Sequence, residues 1–196
     1  EIDKNTFLFY LRHTYGKSQN IPFIEKIDIT VEDKNTIHLQ VYEKIITGCV
    51  EYMGAYMYFD REGIIVETSK EKIPDVPIVS GLSFNKLILH EKIEVDKPGV
   101  FQIILNITQL IHKYDINADI IYFSPNLEVV LHCDNVQVLL GKRSNYDEQL
   151  AQLPKLISGL ESGENGKAVI DNNKKLVINM KEYEEGQDKI IAIPAN

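Results

Sequence analysis

Apolar residues recur along this chain in two periods, and the switches between them mark out its elements. Phe7, Leu8, Leu11 and Tyr15 follow a capping Asn5 or Thr6 at helical spacing and run into Gly16, which predicts a short helix over Thr6 to Tyr15. Asn20-Ile21-Pro22-Phe23-Ile24 is expected to add a single helical turn. The period then drops to two. Ile27, Ile29 and Val31 alternate with Asp28, Thr30 and Glu32, and beyond the turn residues Asp33-Lys34-Asn35 the set Ile37, Leu39, Val41 alternates with His38, Gln40, Tyr42. Two strands joined as a hairpin with one apolar face follow from that. Thr47-Gly48 interrupts the pattern, and a domain boundary is placed there: a first domain over residues 1–47, a second over 48–185 and a tail over 186–196.

In the second domain, Val50 to Phe59 and Ile64 to Glu67 read as strands flanking the loop Asp60-Arg61-Glu62-Gly63, whose glycine tolerates positive φ. Ile73-Pro74-Asp75-Val76-Pro77 must be loop or sheet margin, since each proline removes a ladder donor. Val100, Ile103, Ile104, Ile107, Ile111 and Tyr114 share one face of a helix, with Gln102, Asn106, Gln109 and Lys113 opposite and Pro98 near its first turn. Asp119 to Phe123, Leu127 to Cys133 and Val136 to Leu140 form a meander. A second helix starts near Ser144 with Tyr146, Leu150 and Leu153 inward, and Pro154 is expected to bend or interrupt it before Leu156, Ile157 and Leu160. Ser162 to Gly166 ends it. Strands are expected over Ala168 to Ile170 and Leu176 to Met180, and Ile190, Ile191 and Ile193 allow a further short one after an acidic stretch from Glu182 to Asp188. The class is α+β: a partial domain of helices plus a β-hairpin, then a larger mixed β-sheet domain with two helices packed on it.

Composition narrows the function. The net charge is −8 and no Lys/Arg-dense run appears, which argues against nucleic acid as a ligand because that affinity rests on clustered cations displacing counterions. Cys49 and Cys133 have neither metal-ligand nor CxxC spacing and are read as buried free thiols, with pairing open to a chain outside the reducing cytosol, so they do not decide the compartment. His13, His38, His90, His112 and His132 never approach the i,i+2 or i,i+4 spacing that lets two imidazoles share a metal. Asp60 and Glu62 are explained by turn chemistry. Gly163 and Gly166 lack the Lys-Ser/Thr of a phosphate loop, and no GxSxG elbow occurs. No catalytic, metal or cofactor site is expected. Its longest apolar runs, such as Val100 to Leu105, are too short to span a bilayer. It opens mid-pattern at Glu1-Ile2-Asp3, as a cytosolic protein or a soluble piece of a longer one would.

Several segments, taken in order, resemble a known family. Pro22 to Ile27, the Ile27 to Val41 hairpin and Glu43-Lys44 are similar to the second half of a POTRA domain. Tyr58-Phe59-Asp60-Arg61-Glu62-Gly63-Ile64-Ile65 is similar to an "aromatic-Asp-x-x-Gly-hydrophobic" hairpin, and Ile73-Pro74 with Gly81 to a "Leu-Pro-x-hydrophobic-x-Gly" segment. Val138-Leu139-Leu140-Gly141-Lys142 resembles a "hydrophobic-Leu-Gly" lead into a last long helix, and Val169-Ile170-Asp171 the strand after it. Together, over roughly residues 5 to 181, they resemble the FtsQ/DivIB family of bacterial cell-division proteins. The first POTRA strand and a membrane helix are missing, and Asn172-Asn173 stand where the family has Leu and a basic residue.

The resemblance implies a non-enzymatic scaffold. It would be anchored in the cell membrane by a single N-terminal helix absent here, with this part on the extracytoplasmic side at the division septum, monomeric alone. Its partners would be bitopic proteins of FtsL and FtsB/DivIC type, and its role to recruit and regulate septal peptidoglycan synthesis. The implied contact is addition of a partner strand to the open margin of the β domain's last strand, here Leu176, Val177, Ile178, Asn179 and Met180. Proline at Val177 is then expected to weaken the partner while sparing the fold. Competing readings are a POTRA-type chaperone of membrane-protein assembly, a metal-dependent hydrolase using His132 with Asp60 or Asp134, and a solute-binding domain.

Overall fold

The computed structural model describes residues 21–84, 86–97, 99–162, 175–183 and 191–194, with 161–162 and 191–194 described by backbone alone. The helix expected over Thr6 to Tyr15, the position of Pro98 and the strand expected over Ala168 to Ile170 lie outside the described residues. The chain separates into two compact units, residues 1–45 and 46–196.

In the first unit, β1 (Ile24–Val31) and β2 (Ile37–Glu43) pair antiparallel, with Ile27 opposite Val41, Ile29 opposite Leu39 and Val31 opposite Ile37. The apolar alternation thus becomes one row of cross-strand pairs. Asp33 closes the turn by accepting from Asn35 N–H (2.7 Å) and Thr36 Oγ1 (3.0 Å), and these bonds hold its carboxyl below the usual range. The helical turn expected at Asn20 to Ile24 is not formed by the residues described there. Pro22 and Phe23 make a plain turn, Phe23 at φ 63, and the chain enters β1 directly at Ile24. A bulky residue in the left-handed region is incompatible with helix propagation.

The second unit contains β3 (Gly48–Tyr52), β4 (Ala55–Phe59), β5 (Ile65–Ser69), β6 (Ile78–Ser80), α1 (Val100–Lys113), β7 (Ile120–Phe123), β8 (Val129–Cys133), β9 (Val136–Gly141), α2 (Asp147–Ser162), β10 (Leu176–Asn179) and β11 (Ile191–Pro194). The strands form one nine-stranded sheet in the order β11-β10-β9-β8-β7-β6-β3-β4-β5. The pairs β3/β6, β6/β7 and β9/β10 are parallel and the remaining pairs antiparallel. Together with the hairpin unit this makes the chain α+β, as the sequence pattern implies.

The strand expected over Val50 to Phe59 is in fact two, folded back at Met53-Gly54. Both residues have positive φ (50 and 76), the geometry a two-residue hairpin turn needs to match strand twist. One face of the sheet supplies Val79, Ile121, Leu131, Val138 and Ile178, all at most 2% exposed, to a core shared with Ile104 and Ile107 of α1 and Leu150 and Leu153 of α2. Pro154 does not interrupt α2: the helix continues through it from Asp147 to Ser162. The start of α2 is tied to the end of α1 by Asp147, whose Oδ1 accepts from Lys113 Nζ (2.9 Å) and Tyr114 OH (3.0 Å).

Candidate protein-binding edge

A sheet offers unpaired backbone only at its two margins. At the β5 margin, Ile65 N–H donates to Glu91 O (3.0 Å) and Ile65 O accepts from His90 N–H (2.7 Å), while Ile64 bridges Lys92. The chain's own segment around residues 88–93 therefore lies along the start of that strand.

The opposite margin corrects the expectation for Leu176, Val177, Ile178, Asn179 and Met180. Leu176 to Asn179 form β10, paired parallel to β9 on one side and antiparallel to β11 on the other. The stretch is interior to the sheet, and the short apolar run Ile191–Pro194 takes the outer position. The inward face is as expected: Leu176, Ile178 and Met180 are 5%, 0% and 1% exposed, while Asn179 is exposed.

Backbone direction in β10 follows from two bonds. Leu176 N–H donates to Asn135 O and Met180 N–H to Leu139 O, both at 2.9 Å. Because a pleated strand sends the amides of alternate residues to opposite sides, the even-numbered residues serve β9, and Val177 and Asn179 turn theirs toward β11. The register sets Val177 opposite Ile193 and Asn179 opposite Ile191. Ile191 and Ile193 therefore face inward to β10, and Ala192 and Pro194 turn their backbone outward. Among the described residues β11 has β10 as its one neighbour.

The exit from β10 is tightly held. Tyr183 N–H closes a turn on Met180 O (3.1 Å), and the Arg143 guanidinium donates to Lys181 O (2.9 Å) and Tyr183 O (2.7 Å). Gln149, 1% exposed, donates from Nε2 to Leu140 O (3.0 Å) and also to Met180 O. Leu140 is the residue skipped between the pairs Val130/Leu139 and Val129/Gly141, so its carbonyl has lost its place in the ladder at a bulge, and Gln149 supplies the missing donor. Tyr146 OH donates to Gly141 O and accepts from Arg143 N–H, and burial pushes its phenol up. Lys181 Nζ reaches Glu128 Oε2 at 2.8 Å.

Of the residues in the hydrolase reading, His132 and Asp60 do not meet. His132 is on β8 and Asp60 follows β4, with β7, β6 and β3 between the two strands. Asp60 Oδ1 is occupied by the N–H groups of Glu62 and Ile64, both at 2.9 Å. Among the described residues no three His, Cys, Asp or Glu side chains gather as a metal site would require. An open cleft of about 700 Å³ between the end of α1, the β8–β9 turn and α2 is lined by Asp115, Asn117, Asn135, Ile157 and the buried Cys133, whose thiol burial pushes up to about 12. No helix among the described residues is long and apolar enough to cross a membrane. No family model and no curated protein matches the chain.

Proposed function

We propose that this chain is the extracytoplasmic part of a cell-division scaffold of FtsQ/DivIB type. In this reading it is held at the septal membrane by an N-terminal helix and binds bitopic partners of FtsL and FtsB/DivIC type, through which septal peptidoglycan synthesis is recruited and regulated. It works by contact and performs no chemistry. The observation that carries the reading is β11, a strand with one neighbour among the described residues, at the margin of a sheet whose other margin is lined at the start of β5 by the chain's own residues 88–93. Such a margin supplies affinity through its backbone, and a partner strand completes the ladder. The contact belongs to β11 and not to Leu176 through Met180, which serve as the platform that carries it.

The test is binding of the full chain to synthetic segments of the extracytoplasmic tails of FtsL- and FtsB/DivIC-type proteins, read by calorimetry and by backbone amide exchange. A binding segment should slow exchange at Ala192 and leave Val177 and Asn179, already paired, unchanged. Slowed exchange confined to β1 and β2, or to the cleft beside Cys133, would remove the edge from the reading. Because tethering in a membrane supplies mM effective concentrations, micromolar affinity for an isolated segment is sufficient.

A further inference from the structure

The outward backbone of β11 is unevenly equipped. Ala192 offers one N–H and one C=O, whereas Pro194 offers a C=O and, having no amide hydrogen, no donor. The described margin thus carries one donor and two acceptors. Proline is tolerated in a sheet where its missing N–H points away from the ladder, and the amide directions of Leu176 and Met180 place Pro194 in that position.

We propose that Pro194 is the selectivity element of the margin, admitting a foreign strand while discouraging a second copy of this chain. The proposal rests on the strand-addition reading and deepens it. A foreign strand pairs with Ala192 by two hydrogen bonds and donates one more to Pro194 O, so it forgoes a single bond to the proline. Two copies joined edge to edge about a two-fold axis at Ala192 bring two prolines to the interface, and forgo two bonds. One residue therefore penalises self-association twice and partner binding once. Pro194 also sets the register: the accepted strand must present two N–H groups and one C=O, with its doubly bonded residue opposite Ala192.

Two variants of the full chain test this. Pro194→Ala restores an outward donor without touching the pairs to β10. With one backbone hydrogen bond worth about fivefold, the partner segment should bind about fivefold tighter and the dimerisation constant from sedimentation equilibrium should rise about 25-fold. Ala192→Pro removes the outward donor and should weaken the segment about fivefold at an unchanged thermal midpoint. Ile193→Pro, one residue away, removes an inward donor instead and should expose Val177 and Asn179 to amide exchange, which separates the two sides of the strand. Self-association needs no partner, so a 25-fold rise in Pro194→Ala upholds the assignment of Pro194 even where no division-protein segment binds, an outcome that would defeat the functional reading alone. A Pro194→Ala chain that dimerises no more than the parent overturns the proposal, and so does a segment that binds parent and Ala192→Pro equally.

Discussion

Replacing Gln149 with Leu tests how much of the sheet's C-terminal half depends on one buried amide. The side chain is 1% exposed and its Nε2 holds two carbonyls, Leu140 O at the β9 bulge and Met180 O at the end of β10. Its Oε1 is buried and has no partner among the described residues. The substitution therefore has two opposed effects. Met180 O keeps Tyr183 N–H, but the Leu140 carbonyl, displaced from the ladder, is left bare, which costs about 1–3 kcal/mol on top of about 1 kcal/mol for each lost bond. Removing an orphaned oxygen of similar burial returns about 1–2 kcal/mol. The losses exceed the return, and the net destabilisation should be about 2 kcal/mol. For a domain of this size that is a fall of about 4–8 °C in thermal midpoint. Urea unfolding followed by circular dichroism measures the same quantity independently. Gln149→Glu provides a signed control: a carboxylate facing two carbonyls is opposed by burial and by like partial charge, so its penalty should grow as pH rises above about 4.3. A Leu variant as stable as the parent, or more so, would show that the orphaned oxygen outweighs both bonds.

Val177→Pro, once β10 is recognised as interior, should destabilise the fold by about 1–3 kcal/mol, because it removes a ladder donor and strains the strand; a purely binding phenotype would contradict the pairing with β11. Burial first, then the Lys175 ammonium, hold His132 below the ordinary imidazole range against a weaker pull from Asp119. The unfolded chain then binds more protons just below pH 6.5, so stability should fall as pH drops through that window, and His132→Gln should flatten urea midpoints measured between pH 5 and 8. Burial pushes the thiols of Cys49 and Cys133 up to about 12. Both should resist a disulfide reagent at pH 8 in the folded chain and react together in denaturant, and prompt labelling of either before unfolding would refute its burial.

What could be read from the sequence was what local periodicity encodes. Ile27, Ile29 and Val31 against Ile37, Leu39 and Val41 gave a hairpin because a period of two and a polar turn lie within one short window. Val100 to Tyr114 gave a helix because its apolar face repeats over several turns. Met53-Gly54 was missed because methionine carries no turn signal, and only the paired positive φ values reveal the fold-back. Pro154 carries a breaker signal, yet α2 continues through it with Leu150 and Leu153 still buried. The error over the margin has a different origin. The alternation in Leu176 to Met180 tells which side chains turn inward, and it did so correctly, but strand order is a property of distant pairings that no local pattern records. Whether β10 or β11 lies outermost depends on a run that follows a long acidic stretch. The bulge at Leu140, and with it the role of Gln149, left no trace in sequence, because a buried glutamine on a helix face looks like any other polar position.

The three residues of β6 hold together two halves of the sheet by parallel pairing on both sides, β5-β4-β3 being wholly antiparallel and β7 to β11 antiparallel except at β9/β10. β5-β4-β3 meets β6 through the pairs Cys49/Ile78 and Val50/Val79, and β7 onward meets it through Ile78/Ile120, Val79/Ile121 and Ser80/Tyr122. So brief a seam has little shear strength of its own, and resistance to sliding falls to α1, whose Phe101 lies edge-on to Phe59 (6.1 Å between ring centres) on the first half. A load transmitted through one margin would part the sheet along this line before unravelling either half, so each half can open as a separate cooperative block.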